Sequence, residues 1–476
     1  MIPRIVATPI AGRAGGSAPA VGNPRAVTQP VLESTLPGPG RDRLAKGQVL
    51  VVTTGQQPGL FTGPVYTIYK ALSAIAIARR LERERKVPVV PVFWVAGDDH
   101  DFQEANHATF LSTAGEPMTV VLRERPADAQ ALPLYRERCG PEIALALDQV
   151  RQGTPDSEFK EAVLAWLANA YRPDATLADA AAAAIQTLLG PLGLAVVRPY
   201  VASMKGAMAP LLLRALGTTL DDGLSPVLIE AQQGRDRLRP EGDAFVTRRS
   251  GERFTRAALE RIAGDAPERL SPNVLLRPVI EAALLPTVAY MAGPGELEYF
   301  PSAAPLYRTL GVSPQTALPR WSGTLVESRV DKVVEKHGLK VDDFAAPPGA
   351  VEGRLVRDQL PPEVAATLEN LKQEIRSAYG RVSDGARRVD PTLERSVESA
   401  RNAALGGMQE IEKKIVAALK RTNETLVGQL ARARAALFPT GEPQERVLTY
   451  ASMAIRYGPA LLEALDAEVA RWAVAS

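Results

Sequence analysis

The stretch Gln48-Val49-Leu50-Val51-Val52-Thr53-Thr54 is rich in β-branched residues and almost continuously apolar. This pattern is typical of a strand that is buried on both faces of a sheet. A glycine-rich turn follows, and apolar residues then recur at helical spacing, which predicts a helix over Pro64–Arg85. The run VPVVPVFWV (Val87–Val95) predicts a second strand. Strand, helix and strand form one βαβ unit, so the sequence predicts an α/β fold with a Rossmann-like parallel sheet.

Later segments extend this sheet and add helical insertions. Short strands are predicted at Leu194–Val197 and Thr287–Met291, and helices near 157–171, 176–190 and 204–216. The basic stretch Gly234–Arg256 shows no strand pattern and is interpreted as part of an insertion. Open sheets of this class carry their sites along the carboxyl ends of the strands.

Three regions divide the chain. Residues 1–45 are rich in Gly and Pro and predict a flexible N-terminal arm, and residues 46–345 predict the Rossmann-like catalytic core. Residues 346–476 predict a helical domain, because apolar seams typical of a coiled coil run from Val364 to Val382 and from Leu393 to Leu437. The interruption between the seams predicts an antiparallel hairpin that a partner subunit could complete, with the terminal helices packing back on the core.

Composition excludes several classes of function. The chain of 476 residues carries 56 Lys and Arg against 54 Asp and Glu, a net charge of +2, which gives no reason to expect nucleic-acid binding. Its single cysteine, Cys139, allows no internal disulfide and stands far from the histidine cluster, so it is not expected to be a nucleophile. No membrane helix or secretory leader is recognised, and we therefore expect a cytoplasmic protein.

The turn GQQPGLFTGP (residues 55–64) lies between the first strand and its helix. Its glycines allow the backbone to approach a ligand, and the helix start that follows favours a phosphate or carboxylate. The alternative is a tight turn without a ligand. The candidate binding residues are Gly55, Gln56, Gln57, Gly59, Thr62 and Gly63, with Tyr66 in the helix.

The segment AGDDHDFQEANH (residues 96–107) follows the second strand and should lie beside the first turn. Carboxylates that flank a histidine favour its charged form and tune it for acid–base chemistry. The same groups could hold a divalent metal, or Asp98 or Asp99 could cap a helix. We take Asp99, His100 and Asp101 as catalytic candidates and Asp98 and His107 as binding candidates.

A third glycine turn, GPGE (residues 293–296), follows the strand at Thr287–Met291. Glu296 could receive a ligand's ammonium or hydroxyl groups, or could stabilise the helix start. Arg277 and Arg320 are possible carboxylate anchors, or ion-pair partners within the protein. The candidates from this part of the chain are Gly293, Gly295, Glu296, Tyr299, Arg277 and Arg320.

Four stretches resemble the bacillithiol biosynthesis cysteine-adding enzymes, the BshC family. They are Thr53–Ile75, Val87–His107, Pro267–Tyr299 and Leu437–Leu448. The resemblance implies a core similar to class I aminoacyl-tRNA synthetases, and a coiled coil through which a homodimer forms. It also implies the last step of the synthesis of bacillithiol, a low-molecular-weight thiol. In that step a ligase joins the carboxyl group of L-cysteine to the amine of glucosaminyl malate.

The implied reaction needs an activated carboxyl group, so ATP or another nucleotide is expected, with magnesium. Zinc is not expected, because Cys139 alone supplies too few soft ligands. On this hypothesis the turn at residues 55–64 holds the activating phosphate or a substrate carboxylate. Asp99, His100 and Asp101 position the amine and take its proton, and Arg277 or Arg320 binds the malate.

Two other functions fit the same residues. One is a nucleotidyltransferase or ligase with a different amine acceptor. The other is a coiled-coil assembly protein that binds a nucleotide without turning it over, although such a protein has no need for the clustered Asp and His residues.

Overall fold

The computed structural model describes residues 2–10, 18–126 and 129–475 of the chain. The chain forms two compact units. The first consists of Met1–Leu325 together with Pro443–Ser476, and the second consists of Val326–Glu442. The predicted boundary at residue 345 therefore moves towards the N-terminus, and the terminal helices belong to the first unit.

The strands of the described residues are short and are named in chain order. They are β1 (Arg4–Ala7), β2 (Leu50–Gln56), β3 (Val89–Val95), β4 (His107–Leu111), β5 (Pro117–Val121), β6 (Ala195–Val197), β7 (Val227–Ala231), β8 (Gly234–Glu241), β9 (Ala244–Thr247), β10 (Arg253–Thr255), β11 (Leu270–Pro272), β12 (Thr287–Ala292), β13 (Thr316–Pro319) and β14 (Gly323–Val326).

The helices are named in the same way. They are α1 (Gln29–Ser34), α2 (Pro39–Ala45), α3 (Tyr66–Arg85), α4 (Phe102–Ala105), α5 (Glu142–Gly153), α6 (Lys160–Ala170), α7 (Leu177–Leu189), α8 (Ala202–Ala215), α9 (Arg256–Asp265), α10 (Arg277–Leu284), α11 (Pro294–Tyr299), α12 (Ala304–Leu310), α13 (Ser328–Lys336), α14 (Ala350–Arg357), α15 (Pro362–Val389), α16 (Glu394–Thr422), α17 (Glu424–Leu437), α18 (Gln444–Val447), α19 (Tyr450–Tyr457) and α20 (Pro459–Ala475).

A parallel five-stranded sheet forms the centre of the first unit, in the order β13-β12-β2-β3-β6. This is the Rossmann-like sheet that the sequence predicts. The middle strands β2 and β3 are buried along nearly their whole length, which explains their continuous apolar runs. Helix α3 follows β2 and buries Ile68, Leu72 and Ile75, the residues at helical spacing.

A second, antiparallel sheet has the order β10-β9-β8-β7-β11. The prediction that Gly234–Arg256 contains no strand was therefore wrong. In β8 the buried residues Asp236 and Leu238 alternate with the more exposed Arg235, Arg237 and Arg239. This is the two-residue period of a strand. The segment was not predicted as a strand because its many arginines made it look basic rather than apolar.

Residues 18–45 do not form the flexible arm that composition predicts. They contain α1 and α2, and Val31 and Leu44 are buried in the main hydrophobic core. Gly40 packs so closely on the β6 side of the sheet that a Cβ atom there would lie 2.5 Å from the Ala195 nitrogen. Small residues allow this close packing, so few large apolar side chains are needed. The remainder of the predicted arm includes residues 11–17, which lie outside the described residues.

The second unit contains the two long helices that the apolar seams predict. Helices α15 and α16 form an antiparallel pair, in which Lys372 of α15 contacts Glu412 of α16 at 2.9 Å. Helix α15 continues through Gly385 and ends at Val389, because Pro391 cannot continue it. The unit is thus the predicted helical coiled-coil domain.

After the second unit the chain returns to the first. Helix α20 lies against α3, where Arg79 forms an ion pair with Asp466 at 2.8 Å and Arg80 donates to the Ala473 carbonyl at 2.8 Å. Gly458 separates α19 from α20 with a φ of 61°. Among the described residues, no helix is long and apolar enough to cross a membrane.

Candidate active site

The three turns that the sequence singles out meet at the carboxyl edge of the parallel sheet, because β2, β3 and β12 are neighbours. The Gln57 amide donates to the Asp101 carbonyl at 2.9 Å and so joins the first turn to the second. Lys70 of α3 forms an ion pair with Glu296 of the third turn at 2.7 Å. The prediction that the first two turns share one cleft is confirmed.

A cavity of about 1190 Å³ lies between these turns. Twelve of the residues singled out from the sequence line it: Gly55, Gln56, Gln57, Tyr66, Asp98, Asp99, Arg277, Gly293, Gly295, Glu296, Tyr299 and Arg320. Six others do not line it: Gly59, Thr62, Gly63, His100, Asp101 and His107. The structure therefore brings most of the candidates together around one space.

The far half of the first turn is a structural element. Phe61, Thr62 and Gly63 all have positive φ angles, and Phe61 and Thr62 are buried. Tyr171 fixes this backbone, because its hydroxyl accepts from the Thr62 nitrogen and donates to the Gly59 carbonyl, both at 2.7 Å. The residues Gly59, Thr62 and Gly63, predicted to bind a ligand, instead hold the turn in shape.

Several backbone amides at the start of α3, which the sequence predicts to be free donors, have acceptors within the protein. The nitrogen of Gly63 donates to Leu60, that of Val65 to Leu448, and that of Thr67 to Pro64, at 2.8 to 3.0 Å. These amides are used within the protein, so they give no support to the predicted phosphate cradle. The residues of this region that line the cavity include Gln56, Gln57, Tyr66 and Lys70.

In the second turn, two of the carboxylates organise the backbone. Asp99 Oδ1 accepts from the nitrogens of His100 and Asp101 at 2.7 and 3.2 Å. Asp101 caps α4 by accepting from the Glu104 nitrogen at 3.0 Å. The helix cap predicted for Asp98 or Asp99 is thus made by Asp101.

Asp98 has a different partner. Its carboxylate forms an ion pair at 2.5 Å with Lys205, a lysine of α8 that is 0% exposed. Lys205 also donates to the Leu270 carbonyl at 3.0 Å and so ties the second turn to the antiparallel sheet.

The carboxylates of Asp99 and Asp101 favour the charged form of His100, as predicted, but they do not determine its pKa. Burial and the guanidinium of Arg235 lower the pKa of His100, and together they outweigh the carboxylates of Asp99 and Asp101. Arg235 Nη1 lies 3.4 Å from His100 Nδ1. His107 lies at the start of β4, where its Nδ1 contacts the Gln103 carbonyl at 2.9 Å, away from the cavity.

Glu296 is bound on several sides within the protein. Its carboxylate accepts from the Gly293 nitrogen at 2.7 Å and from the Tyr290 hydroxyl at 2.6 Å, in addition to its ion pair with Lys70. Burial disfavours its charged form, but Lys70 and Arg277 outweigh that effect and hold the pKa of Glu296 below its usual range. The cap of the helix start is therefore present, and the carboxylate also faces the cavity.

Both predicted carboxylate anchors have carboxylate partners in the protein. Arg277 pairs with the fully buried Glu281 at 3.0 Å. Arg320 forms a bidentate ion pair with Glu445, in which Nη1 donates to Oε2 at 2.9 Å and Nη2 donates to Oε1 at 2.6 Å. Both arginines line the cavity, but each already neutralises a carboxylate of its own chain.

Sequence reasoning missed Lys70 and Arg235. Lys70 is 2% exposed, and burial lowers its pKa against the opposing effect of Glu296. A usable pattern was present, since Lys70 is the one charged residue in the segment from Tyr66 to Ala78 of α3, which is otherwise apolar or uncharged. Arg235 left no comparable signal, because it reaches the cavity from a strand of the second sheet.

Cys139 is buried, and burial raises the pKa of its thiol to about 12. A thiol in that state is a poor nucleophile at neutral pH. Among the residues that the structure describes, no three His, Cys, Asp or Glu side chains are arranged to hold a metal ion.

The parallel sheet and the cavity at its carboxyl edge define a Rossmann-like α/β protein with a candidate ligand-binding site. Family models extend this result. Residues 41–223 and 227–321 match "Bacillithiol biosynthesis BshC, N-terminal Rossmann-like domain", and residues 323–470 match "Bacillithiol biosynthesis BshC, C-terminal coiled-coil domain". The chain belongs to the BshC family of bacillithiol biosynthesis.

Individual relatives agree with the family models. BshC of Salinibacter ruber is 33% identical over 439 residues, which cover 87% of this chain and 80% of the relative. BshC of Heliobacterium modesticaldum is 32% identical over 464 residues, which cover 90% and 83%. Both relatives are named, provisionally, as cysteine ligases.

Proposed function

We propose that the protein joins the carboxyl group of L-cysteine to the amine of glucosaminyl malate, in the last step of bacillithiol synthesis. Membership of the BshC family supports the pathway. The observation that carries the proposal is the cavity at the carboxyl edge of the sheet, where the turns after β2, β3 and β12 converge. Its volume of about 1190 Å³ is sufficient for an amino acid, a sugar derivative and a nucleotide together.

The reaction needs a nucleotide on chemical grounds. A carboxylate does not acylate an amine in water until its oxygen becomes part of a leaving group. Attack of the cysteine carboxylate on ATP gives an adenylate and pyrophosphate, or an acyl phosphate and ADP. Attack of the glucosamine nitrogen then forms the amide and expels AMP or phosphate, while the nitrogen loses one proton.

Of the three catalytic candidates Asp99, His100 and Asp101, only Asp99 lines the cavity, and it is proposed to position the amine and to take up this proton. The carboxylate of Asp99 faces the cavity and is close to the cationic residue Arg235, which faces it as well. Magnesium is proposed to enter with the nucleotide's phosphates. The enzyme is proposed to act as a homodimer through α15 and α16, whose apolar residues Leu371, Val382 and Ile411 are exposed.

Incubation of the purified protein with cysteine, ATP and glucosaminyl malate tests the proposal, with mass spectrometry to detect the thiol product. We expect product only when all three compounds are present, and either AMP or ADP in equal amount. Reactions that lack one compound serve as controls. Product with a different amine and none with glucosaminyl malate would favour a ligase with another acceptor. Nucleotide binding without any turnover would favour an assembly protein.

A further inference from the structure

The cations around the cavity differ in how they are neutralised. Four of them are paired with carboxylates of the same chain: Lys70 with Glu296, Arg237 with Asp222, Arg277 with Glu281 and Arg320 with Glu445. Arg235 lines the same cavity, but within the described ranges it forms no ion pair with a carboxylate.

The contacts of Arg235 are all with neutral acceptors. Its Nε donates to Ser271 Oγ at 2.9 Å, and its Nη2 donates to the Pro272 carbonyl at 2.8 Å. Its Nη1 donates to His100 Nδ1 at 3.4 Å. Ser271 and Pro272 belong to β11 and His100 to the turn after β3, so the guanidinium is held between the two sheets.

No carboxylate contacts this positive charge directly, although the carboxylates of Asp98, Asp99 and Glu230 act on it from a longer distance. A guanidinium stays protonated throughout the physiological pH range, and removing it from water is costly unless an anion compensates it. Five N–H bonds are available on the group, and three contacts leave donors for a ligand. The geometry therefore suits an oxyanion that enters the cavity.

From these contacts we infer that Arg235 binds an anionic group of a ligand, a carboxylate or a phosphate, and that His100 holds the guanidinium in place as a neutral acceptor. Only the naming of that ligand rests on the proposed function, since malate supplies carboxylates and the nucleotide supplies phosphates. Arg235 is then a binding residue, and His100 is a positioning residue that acts through it.

The contact determines the protonation of His100. A guanidinium cannot accept a hydrogen bond, so His100 Nδ1 must carry a lone pair and the proton of the neutral ring lies on Nε2. Protonated His100 would direct an N–H group at Arg235. The charged groups around the ring are Arg235 and Arg249 of the antiparallel sheet, Asp99 and Asp101 of its own turn, and Arg125, which donates to the His100 carbonyl at 3.2 Å.

Calorimetric titration of the full-length protein with L-malate, ATP and inorganic phosphate tests the inference. We expect Arg235→Met to weaken binding of the recognised anion at least tenfold. Arg239→Met is the matched control, because Arg239 lies on the same strand outside the cavity and its side chain is 58% exposed. The control should bind within about twofold of the wild type. A loss confined to L-malate identifies a carboxylate, and a loss for ATP and phosphate identifies a phosphate.

A pH series separates the positioning role from a general structural role. Wild-type affinity for the recognised anion should be constant near pH 7 and should fall only at a pH below the ordinary histidine pKa of about 6.5, because the pKa of His100 is lowered. His100→Gln should bind without that fall, since its Oε1 can accept from Arg235 and does not titrate. If Arg235→Met does not fold, this comparison and Arg235→Lys still decide the question.

Unchanged affinity in Arg235→Met would overturn the inference, and so would a wild-type protein that binds none of the three anions. These results are distinct from a failure of the proposed function. Wild-type product formation alongside unchanged anion binding in Arg235→Met would refute the inference alone. If Arg235→Met loses anion binding and the wild type forms no product, the proposed function alone is refuted.

Discussion

The ammonium nitrogen of Lys70 lies 2.7 Å from Glu296 Oε2, and this contact joins the helix after the first strand of the site to the turn after β12. The same nitrogen donates to the Gly55 carbonyl at 2.5 Å and to Gln56 Oε1 at 3.1 Å. All three of its donors are therefore used inside the protein. Lys70 fixes the distance between two walls of the cavity.

Replacement of Lys70 by Met should destabilise the protein, because Glu296 would remain buried without its closest counter-charge. We expect the free energy of unfolding in urea to fall by about 3 to 5 kcal/mol. Lys413→Met provides the comparison, since Lys413 and its partner Glu410 are 71% and 64% exposed. Removal of an exposed pair should change stability by less than about 1 kcal/mol. Equal losses of unfolding free energy in the two variants would show that the buried ion pair contributes no more to stability than the exposed one.

Replacement of His100 by Ala should reduce formation of the cysteine adduct at least tenfold. The reason is that Arg235 loses one of its three acceptors at the cavity wall. The fold should persist, because the ring is only partly buried. Mass spectrometry measures the product, and circular dichroism measures the fold.

The second histidine of the same turn is the natural control. His107 lies outside the cavity, so His107→Ala should keep wild-type activity. Activity lost equally in both variants, or in neither, would contradict the assignment of His100.

The only cysteine offers a test of burial that is independent of function. Cys139 is 0% exposed and its pKa is raised to about 12, so it should not react with a thiol reagent at pH 8 in the native protein. It should react quickly in urea. Because the folded-state pKa lies above the unfolded one, this group contributes stability below pH ~8.5 that is lost as the pH rises towards 12.

Urea unfolding between pH 8 and pH 10.5 measures this contribution. The wild type should lose more stability over that interval than Cys139→Ser, which lacks the titrating group. Rapid modification of the native protein at pH 8 would mean that the thiol is accessible.

The packing of the N-terminal helices is tested by Gly40→Ala. The added Cβ would lie 2.5 Å from the backbone nitrogen of Ala195, and backbone cannot move aside cheaply. A loss of about 1 to 3 kcal/mol in the free energy of unfolding is expected. Gly206→Ala is the control, since Gly206 lies inside α8 with open space around it and alanine should be neutral or mildly stabilising there. No loss in Gly40→Ala would mean that α2 does not pack on the sheet.

The central sheet could be predicted from sequence because its strands are buried on both faces. Buried parallel strands leave continuous apolar runs, and β2 and β3 show them clearly. Strand β8 gave no such run, since Arg235, Arg237 and Arg239 occupy alternate positions in it. Helices α1 and α2 were missed because they show no extended apolar pattern. They pack on the core through Val31, Leu44 and the close contact of Gly40.

The location of the site followed from topology, but the detailed roles did not. Turns after adjacent parallel strands must lie side by side, which is why Gln57 meets Asp101. The pairing of Arg320 with Glu445 joins residues that are 125 positions apart. The contact of Arg235 with His100 spans 135 positions. No local pattern encodes such contacts, so the sequence did not indicate that burial and Arg235 lower the pKa of His100.

Because the first unit is built from two separate segments of the chain, it can finish folding only late in synthesis. Glu445, Asp466 and the rest of the returning segment leave the ribosome only after the whole helical hairpin has been made. Until then Arg320 lacks its counter-ion, and the α3 surface that α20 covers stays open. The Rossmann-like unit of a nascent chain therefore remains incomplete until its last segment has been synthesised. Premature termination before residue 443 would leave that unit without its closing helix, however well its sheet had formed.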